Sequence, residues 1–159
     1  MYRINWNCQE QILQWIERNR RFGVGGDAML FHTFNSQEGR SNYGGSAFVE
    51  IQFCNMPFQI PIKELVAVKN IQHWKNDSLY IHIDDDGAFY QEYSRFFDCG
   101  TYNNLKTGTV DLYGINYYDP SLTDSIIKRL NTEKPVDYEV LTEWLIKAKW
   151  YNGFYILGI

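Results

Sequence analysis

The spacing of apolar residues changes period along this chain, and that change constrains the fold more than any other feature. Between residues 47 and 53, Ala47, Val49, Ile51 and Phe53 alternate with Phe48, Glu50 and Gln52. A two-residue period belongs to an extended strand, whose side chains point alternately to opposite faces. SLYIHI (78–83) alternates in the same way, with Leu79, Ile81 and Ile83 against Tyr80 and His82. Toward both ends the period lengthens. Cys8, Ile12 and Ile16 stand four apart, and Val140, Leu141, Trp144, Leu145 and Ala148 recur at helical spacing. These stripes predict one helix over 8–20, after a short strand at 2–6, and another beginning after Asp137. Middle strands flanked by helices predict a single α+β domain over 1–159: a mostly antiparallel sheet packed against helices from the N- and C-terminal parts.

Local signals add boundaries. Asp119-Pro120 reads as an N-cap followed by Pro at the first helical position, opening a helix through Ile126, Ile127 and Leu130. Asp137 reads as the cap of the next helix, and FYILGI as a closing strand. MLFHTF (29–34) has strand character, and NSQEGRSNYGGS (35–46) reads as a loop rich in turn formers. Pro57 and Pro61 limit residues 58–60 to a short edge strand, while 63–71 suits helix or strand. AFYQEYSRFF (88–97) reads as a strand paired with 78–83, which makes Asp85-Asp86-Gly87 a hairpin turn, since Asp and Gly tolerate positive φ. A third strand near 109–117 would complete a meander.

Charge is distributed unevenly. The net charge is −4, but residues 77–124 hold nine acids against Arg95 and Lys106, a local balance of −7, and the remainder is +3. Seven of the twelve tyrosines share that acidic segment. Carboxylates steer the approach of a basic partner, and tyrosine supplies contact area at small entropic cost. The residues expected to bind a partner are therefore Asp84, Asp85, Asp86, Tyr80, Tyr90, Glu92, Asp98 and Asp111. A sequence pI near 5.3 argues against a nucleic-acid footprint. ERNRR (17–21) reads as cations at a helix end, and GVGG (23–26) as a helix stop. No apolar run approaches the ~20 residues of a membrane span, and MYRINWNCQEQ lacks the apolar core of a signal peptide, so a cytoplasmic protein is expected.

Catalytic and metal chemistry find little footing. A calcium loop counted from Asp84 puts Arg95 where a bidentate glutamate is required. Cys8, Cys54 and Cys99 have neither zinc-knuckle nor disulfide-framework spacing, and His32, His73 and His82 form no zinc-protease motif. No metal, cofactor or catalytic residue is expected. Two alternatives stand beside the binding protein: a small hydrolase whose Cys99 or His82 dyad is assembled by the fold, and a non-catalytic regulatory subunit.

Small, acidic, rich in aromatics and of one domain, the chain resembles the immunity proteins of bacterial toxin systems, those of contact-dependent growth inhibition included. The resemblance is one of general character, and because immunity proteins share no single fold it assigns no residue. It implies a cytoplasmic protein that neutralises a basic toxin domain, a nuclease foremost, by laying an acidic face over the groove in which the toxin holds phosphate.

Overall fold

The computed structural model describes residues 29–158. In chain order they form α1 (Gln37–Gly44), β1 (Phe48–Phe53), α2 (Ile62–Leu65), β2 (Leu79–His82), α3 (Asp86–Tyr93), β3 (Gly100–Tyr102), β4 (Thr107–Gly108), β5 (Ile115–Tyr118), α4 (Pro120–Glu133), α5 (Tyr138–Ala148) and β6 (Phe154–Leu157). The six strands make one sheet in the order β2-β1-β6-β5-β3-β4, with every neighbouring pair antiparallel. This is the expected α+β architecture of antiparallel sheet and packed helices. The strand foreseen at 2–6, the helix at 8–20 and the glycines after it lie outside the described residues.

The closing strand is central. Ile156 of β6 sits opposite Ile51 of β1 on one side and Asn116 of β5 on the other. Both β1 and β6 are buried along their whole length, because the sheet is covered on two faces. Val49, Ile51, Phe53, Ile81 and Ile156 pack in one cluster with Phe89, Leu130, Leu141 and Leu145 from α3, α4 and α5. Tyr117, Tyr155 and Leu157 pack on the other face under Leu65, Val66 and Ile71. Phe53 is held flat between Trp144 (ring centroids 4.0 Å apart) and Tyr151 (4.4 Å). The Trp144 indole N–H also donates to the Asp77 carbonyl at 2.9 Å, so the ring buries its apolar body and satisfies its one donor.

Double coverage puts a carboxylate inside the protein. Glu50 is buried on β1, where Oε1 accepts from Ser78 Oγ (2.7 Å) and Gln52 Nε2 (3.1 Å) and lies 3.1 Å from the Tyr80 hydroxyl. That hydroxyl lies 2.7 Å from the Lys75 carbonyl and accepts from the Lys75 N–H at 3.1 Å. A buried carboxylate is tolerable only with such donors around it.

Helix starts divide into one success and one correction. Asp119 caps α4 as expected, its carboxylate accepting from the Ser121 N–H at 2.9 Å ahead of Pro120. Asp137 precedes α5 but does not cap it. With φ of 61° it turns its carboxylate away, and Oδ2 accepts from the backbone N–H groups of Leu30 (3.0 Å) and Phe31 (3.2 Å). Burial raises the Asp137 pKa against the pull of these two hydrogen bonds. Asparagine keeps an acceptor oxygen, tolerates the left-handed backbone and carries no charge to desolvate. Asp137→Asn is therefore expected to match or exceed the parent in urea denaturation at neutral pH, whereas Asp137→Ala should lose about 2 kcal/mol. Equal losses in both variants would show that the carboxylate charge itself is required.

The segment after β2 departs most from expectation. Ile83–Asp85 form a 3-10 turn and Asp86–Tyr93 a helix, so there is no Asp-Gly hairpin and 88–97 is not a strand. Phe89 and Tyr93, four apart, are buried against Phe31, and Phe96 and Phe97 extend the same apolar stripe. That spacing is helical, and Asp86 in the first turn suits the positive end of the helix. Residues 37–44, read as loop, are also helical, because Ser36 Oγ accepts from the Gly39 N–H at 3.0 Å and starts the turn. Of 29–34 only His32 pairs, through a single bridge to Tyr80. Of the third strand expected near 109–117 only the last part is extended, as β5; residues 109–114 form turns and bends, and β3 and β4 lie before them.

Candidate functional site

Three of the eight residues expected to bind a partner meet in one cleft. Asp86, Gly87, Tyr90 and Gln91 of α3 form one wall, and Thr109, Val110, Asp111, Leu112 and Tyr113 form the other, around a volume of about 610 Å³. Helix periodicity places Asp86 and Tyr90 on one face of α3 because they stand four apart.

The facing segment is held by hydrogen bonds. The buried Asn116 side chain accepts from the Asp111 N–H (2.8 Å) and donates to the carbonyls of Asp111 (2.8 Å) and Ile156 (2.8 Å). Asp111 Oδ1 accepts from the Tyr113 N–H at 2.9 Å, and the Val110 N–H donates to the Phe97 carbonyl at 2.8 Å. A backbone tied down on these sides leaves little to order when a ligand arrives. On this fixed base Tyr113 is 79% exposed, and across the cleft Tyr90 is 43% exposed. Neither Asp86 nor Asp111 pairs with a lysine or arginine among the described residues.

The other expected contacts lie elsewhere. Tyr80 is fully buried, its hydroxyl spent on Glu50 and Lys75, so it is no part of a docking surface. Desolvation, and then the nearby Glu50 charge, raise its phenol pKa far above the ordinary value. Asp85 is also buried, at the turn into α3, and is likewise removed from the surface set. Asp84 is exposed, with its carboxylate 3.5 Å from His82 Nδ1. Asp98 faces Arg129 at 3.9 Å, and Glu92 is half-buried, 3.4 Å from the Val136 N–H that donates to it. Asp124, in the same acidic segment, is paired to Lys149 at 2.5 Å. The −7 segment is thus partly internal and partly neutralised, and in the cleft two carboxylates that no lysine or arginine among the described residues pairs stand with exposed tyrosines. Tyr113, Gln91 and Thr109 were not singled out from sequence. Asp111 itself, a residue type that often accepts from the backbone N–H two residues on, was the available signal.

The groups considered for chemistry have structural surroundings. His82 Nδ1 accepts from the Asp84 N–H at 3.2 Å, which leaves the proton on Nε2 to donate to the Gly44 carbonyl at 3.0 Å. Burial and the adjacent Asp98 raise the Cys99 pKa, favouring the thiol, the poorer nucleophile. Among the described residues no three His, Cys, Asp or Glu side chains converge to hold a metal ion. Among the same residues no helix is long and apolar enough to cross a membrane.

His32 is half-buried against Phe34 and Tyr43, and desolvation, then the nearby His82, lower its pKa. In the unfolded chain the same imidazole gains its proton near pH 6.5. Unfolding therefore takes up a proton as pH falls below that value, and this part of the stability is lost on acidification. Thermal midpoints should fall between about pH 7.5 and about pH 5.5, and His32→Gln should flatten that slope. An identical slope in the variant would remove His32 as its source.

The chain has no match among protein-family models, curated proteins or solved structures.

Proposed function

We propose that this protein binds a basic protein partner through the cleft between α3 and residues 109–113, and that it acts as an immunity protein, blocking a cognate toxin domain. The observation that carries the reading is the meeting of two carboxylates, which no lysine or arginine among the described residues pairs, with two exposed tyrosines on a fixed backbone. Such a surface does two separable things. Its charge raises the rate of encounter with a positive patch, by about 10–10³-fold over a neutral surface. Its aromatic rings bury area with few torsions to freeze, which slows dissociation. Inhibition by this route is occlusion: the acidic cleft covers cationic side chains that a nuclease would otherwise use to hold phosphate.

The test is capture with the tagged full chain from its source cells at low salt, followed by assay of the captured protein. A basic protein is expected, released as salt rises, whose own activity stops when the chain is added back. An acidic captured protein, or one whose activity is unchanged on mixing, would overturn the reading.

A further inference from the structure

Resting on that reading, we infer that the cleft is a receptor for an arginine side chain, the anchor that the basic partner inserts. The chemistry comes from both walls at once. Asp86 and Asp111 arise from separate elements that line the cleft together, and the exposed Tyr90 and Tyr113 line it with them. Val110 and Leu112 give an apolar lining for a hydrocarbon stem, and Gln91 and Thr109 add acceptor oxygens. A guanidinium uses such a setting better than an ammonium does. It is planar, stacks on aromatic rings, and directs five N–H donors outward to more than one acceptor. A volume of about 610 Å³ falls in the range of ligand-binding clefts and leaves room for the residues beside the arginine.

The molecule already contains this arrangement in completed form. On the Phe96 ring sit two guanidiniums, Arg95 at 4.5 Å and Arg129 at 5.3 Å from the centroid. Each has its carboxylate: Glu133 at 2.7 Å from Arg95, and Asp98 at 3.9 Å from Arg129. Rings, carboxylates and cations are all present there. In the cleft the rings and carboxylates recur, and among the described residues no cation of the chain completes them. Asp111 is held ready by the hydrogen bond from the Tyr113 N–H, so little rearrangement is needed on binding.

The experiment is a titration of the full chain, isotopically labelled and followed by amide NMR, with Nα-acetyl-arginine amide. Nα-acetyl-citrulline amide, of the same shape without the charge, and Nα-acetyl-lysine amide serve as comparisons. Saturable shifts at Gly87, Tyr90, Leu112 and Tyr113 are expected, with a dissociation constant on the order of millimolar. Citrulline should bind at least about tenfold more weakly, and lysine about threefold more weakly. Asp86→Asn with Asp111→Asn should reduce arginine affinity about tenfold. Tyr113→Ala, at a side chain so exposed that folding hardly depends on it, should reduce it about threefold. Citrulline binding as well as arginine, shifts confined to other surfaces, or undiminished affinity in both variants would each overturn the inference. Failure here separates cleanly from failure of the broader reading. A captured basic protein whose binding ignores free arginine would remove the arginine anchor alone. Arginine binding in the cleft, with a captured protein left active, would remove the inhibitory role alone.

Discussion

Lysine at both cleft carboxylates, Asp86→Lys with Asp111→Lys, is expected to weaken the complex with a basic partner by about 100- to 1,000-fold, roughly 3–4 kcal/mol. The effect is large because each substitution replaces an attraction with a like-charge contact in a partly desolvated setting. Association should slow as well, since the local field changes sign, and the slowing should be greatest at low salt. Fold and interface can be told apart. Asp111 accepts a hydrogen bond from the Tyr113 N–H, which lysine cannot replace, whereas asparagine keeps the acceptor and loses only the charge. Asp86→Asn with Asp111→Asn should therefore leave the unfolding midpoint nearly unchanged and still weaken binding about tenfold. Kinetics on an immobilised partner at two salt concentrations, beside denaturation curves for each variant, would measure both. Full affinity in a folded lysine variant would place the interface on another surface. Asp85 belongs in no such series: it is buried, and a lysine there would report on folding.

The second large effect concerns stability alone. Gly153→Ala is expected to cost about 2–5 kcal/mol, from left-handed backbone strain of about 1–2 and overpacking of about 1–3. Gly153 has φ of 80°, and a methyl group added to it would overlap the carbonyl oxygen of Tyr118 at the end of β5. Its own carbonyl accepts from the Cys54 N–H at 3.0 Å, where β1 ends. Next to it, the Asn152 carbonyl accepts from the Tyr117 hydroxyl at 2.8 Å. The residue therefore stands where three strands close on one another, and an obstacle that consists of backbone cannot swing aside. Urea titration of parent and variant is the check, and a shift below about 1 kcal/mol would mean that the strand ends yield more readily than their packing suggests.

How much of this was legible in the sequence follows from what each element depends on. β1, β6, α4 and the stripe of α5 were visible because their own residues carry the period or the cap that forms them. The alternation in β1 could not reveal that Glu50 and Gln52 are inside, because burial of that face depends on residues 60–76, brought over it by the tertiary fold. At 86–93 two local signals competed. Asp-Gly favours a reversal of the chain, but Phe89 and Tyr93 find their partners only in a helix packed beside Phe31. The burial of two large rings outweighs a turn preference of order 1 kcal/mol. For the cleft, composition pointed to the acidic, tyrosine-rich segment and to Asp86, Tyr90 and Asp111, which the fold brings together. The role of Asn116 in presenting Asp111, and the burial of Tyr80 and Asp85, are products of the assembled sheet.

The position of β6 has a consequence for how the protein comes into being. Among the described residues the pair β1–β2 and the group β3–β4–β5 share no ladder of their own, and in the sheet they are joined through residues 154–157. During synthesis both parts leave the ribosome before the strand that unites them, and each carries an unpaired edge in the interval. The platform behind Asp111 takes its final form only once Ile156 has docked, because Asn116 needs the Ile156 carbonyl to complete its bonds. A nascent chain interrupted before this point would present the charges of the cleft without their support, so the fixed geometry of residues 111–116 should appear abruptly, once residues 154–157 are free to pair.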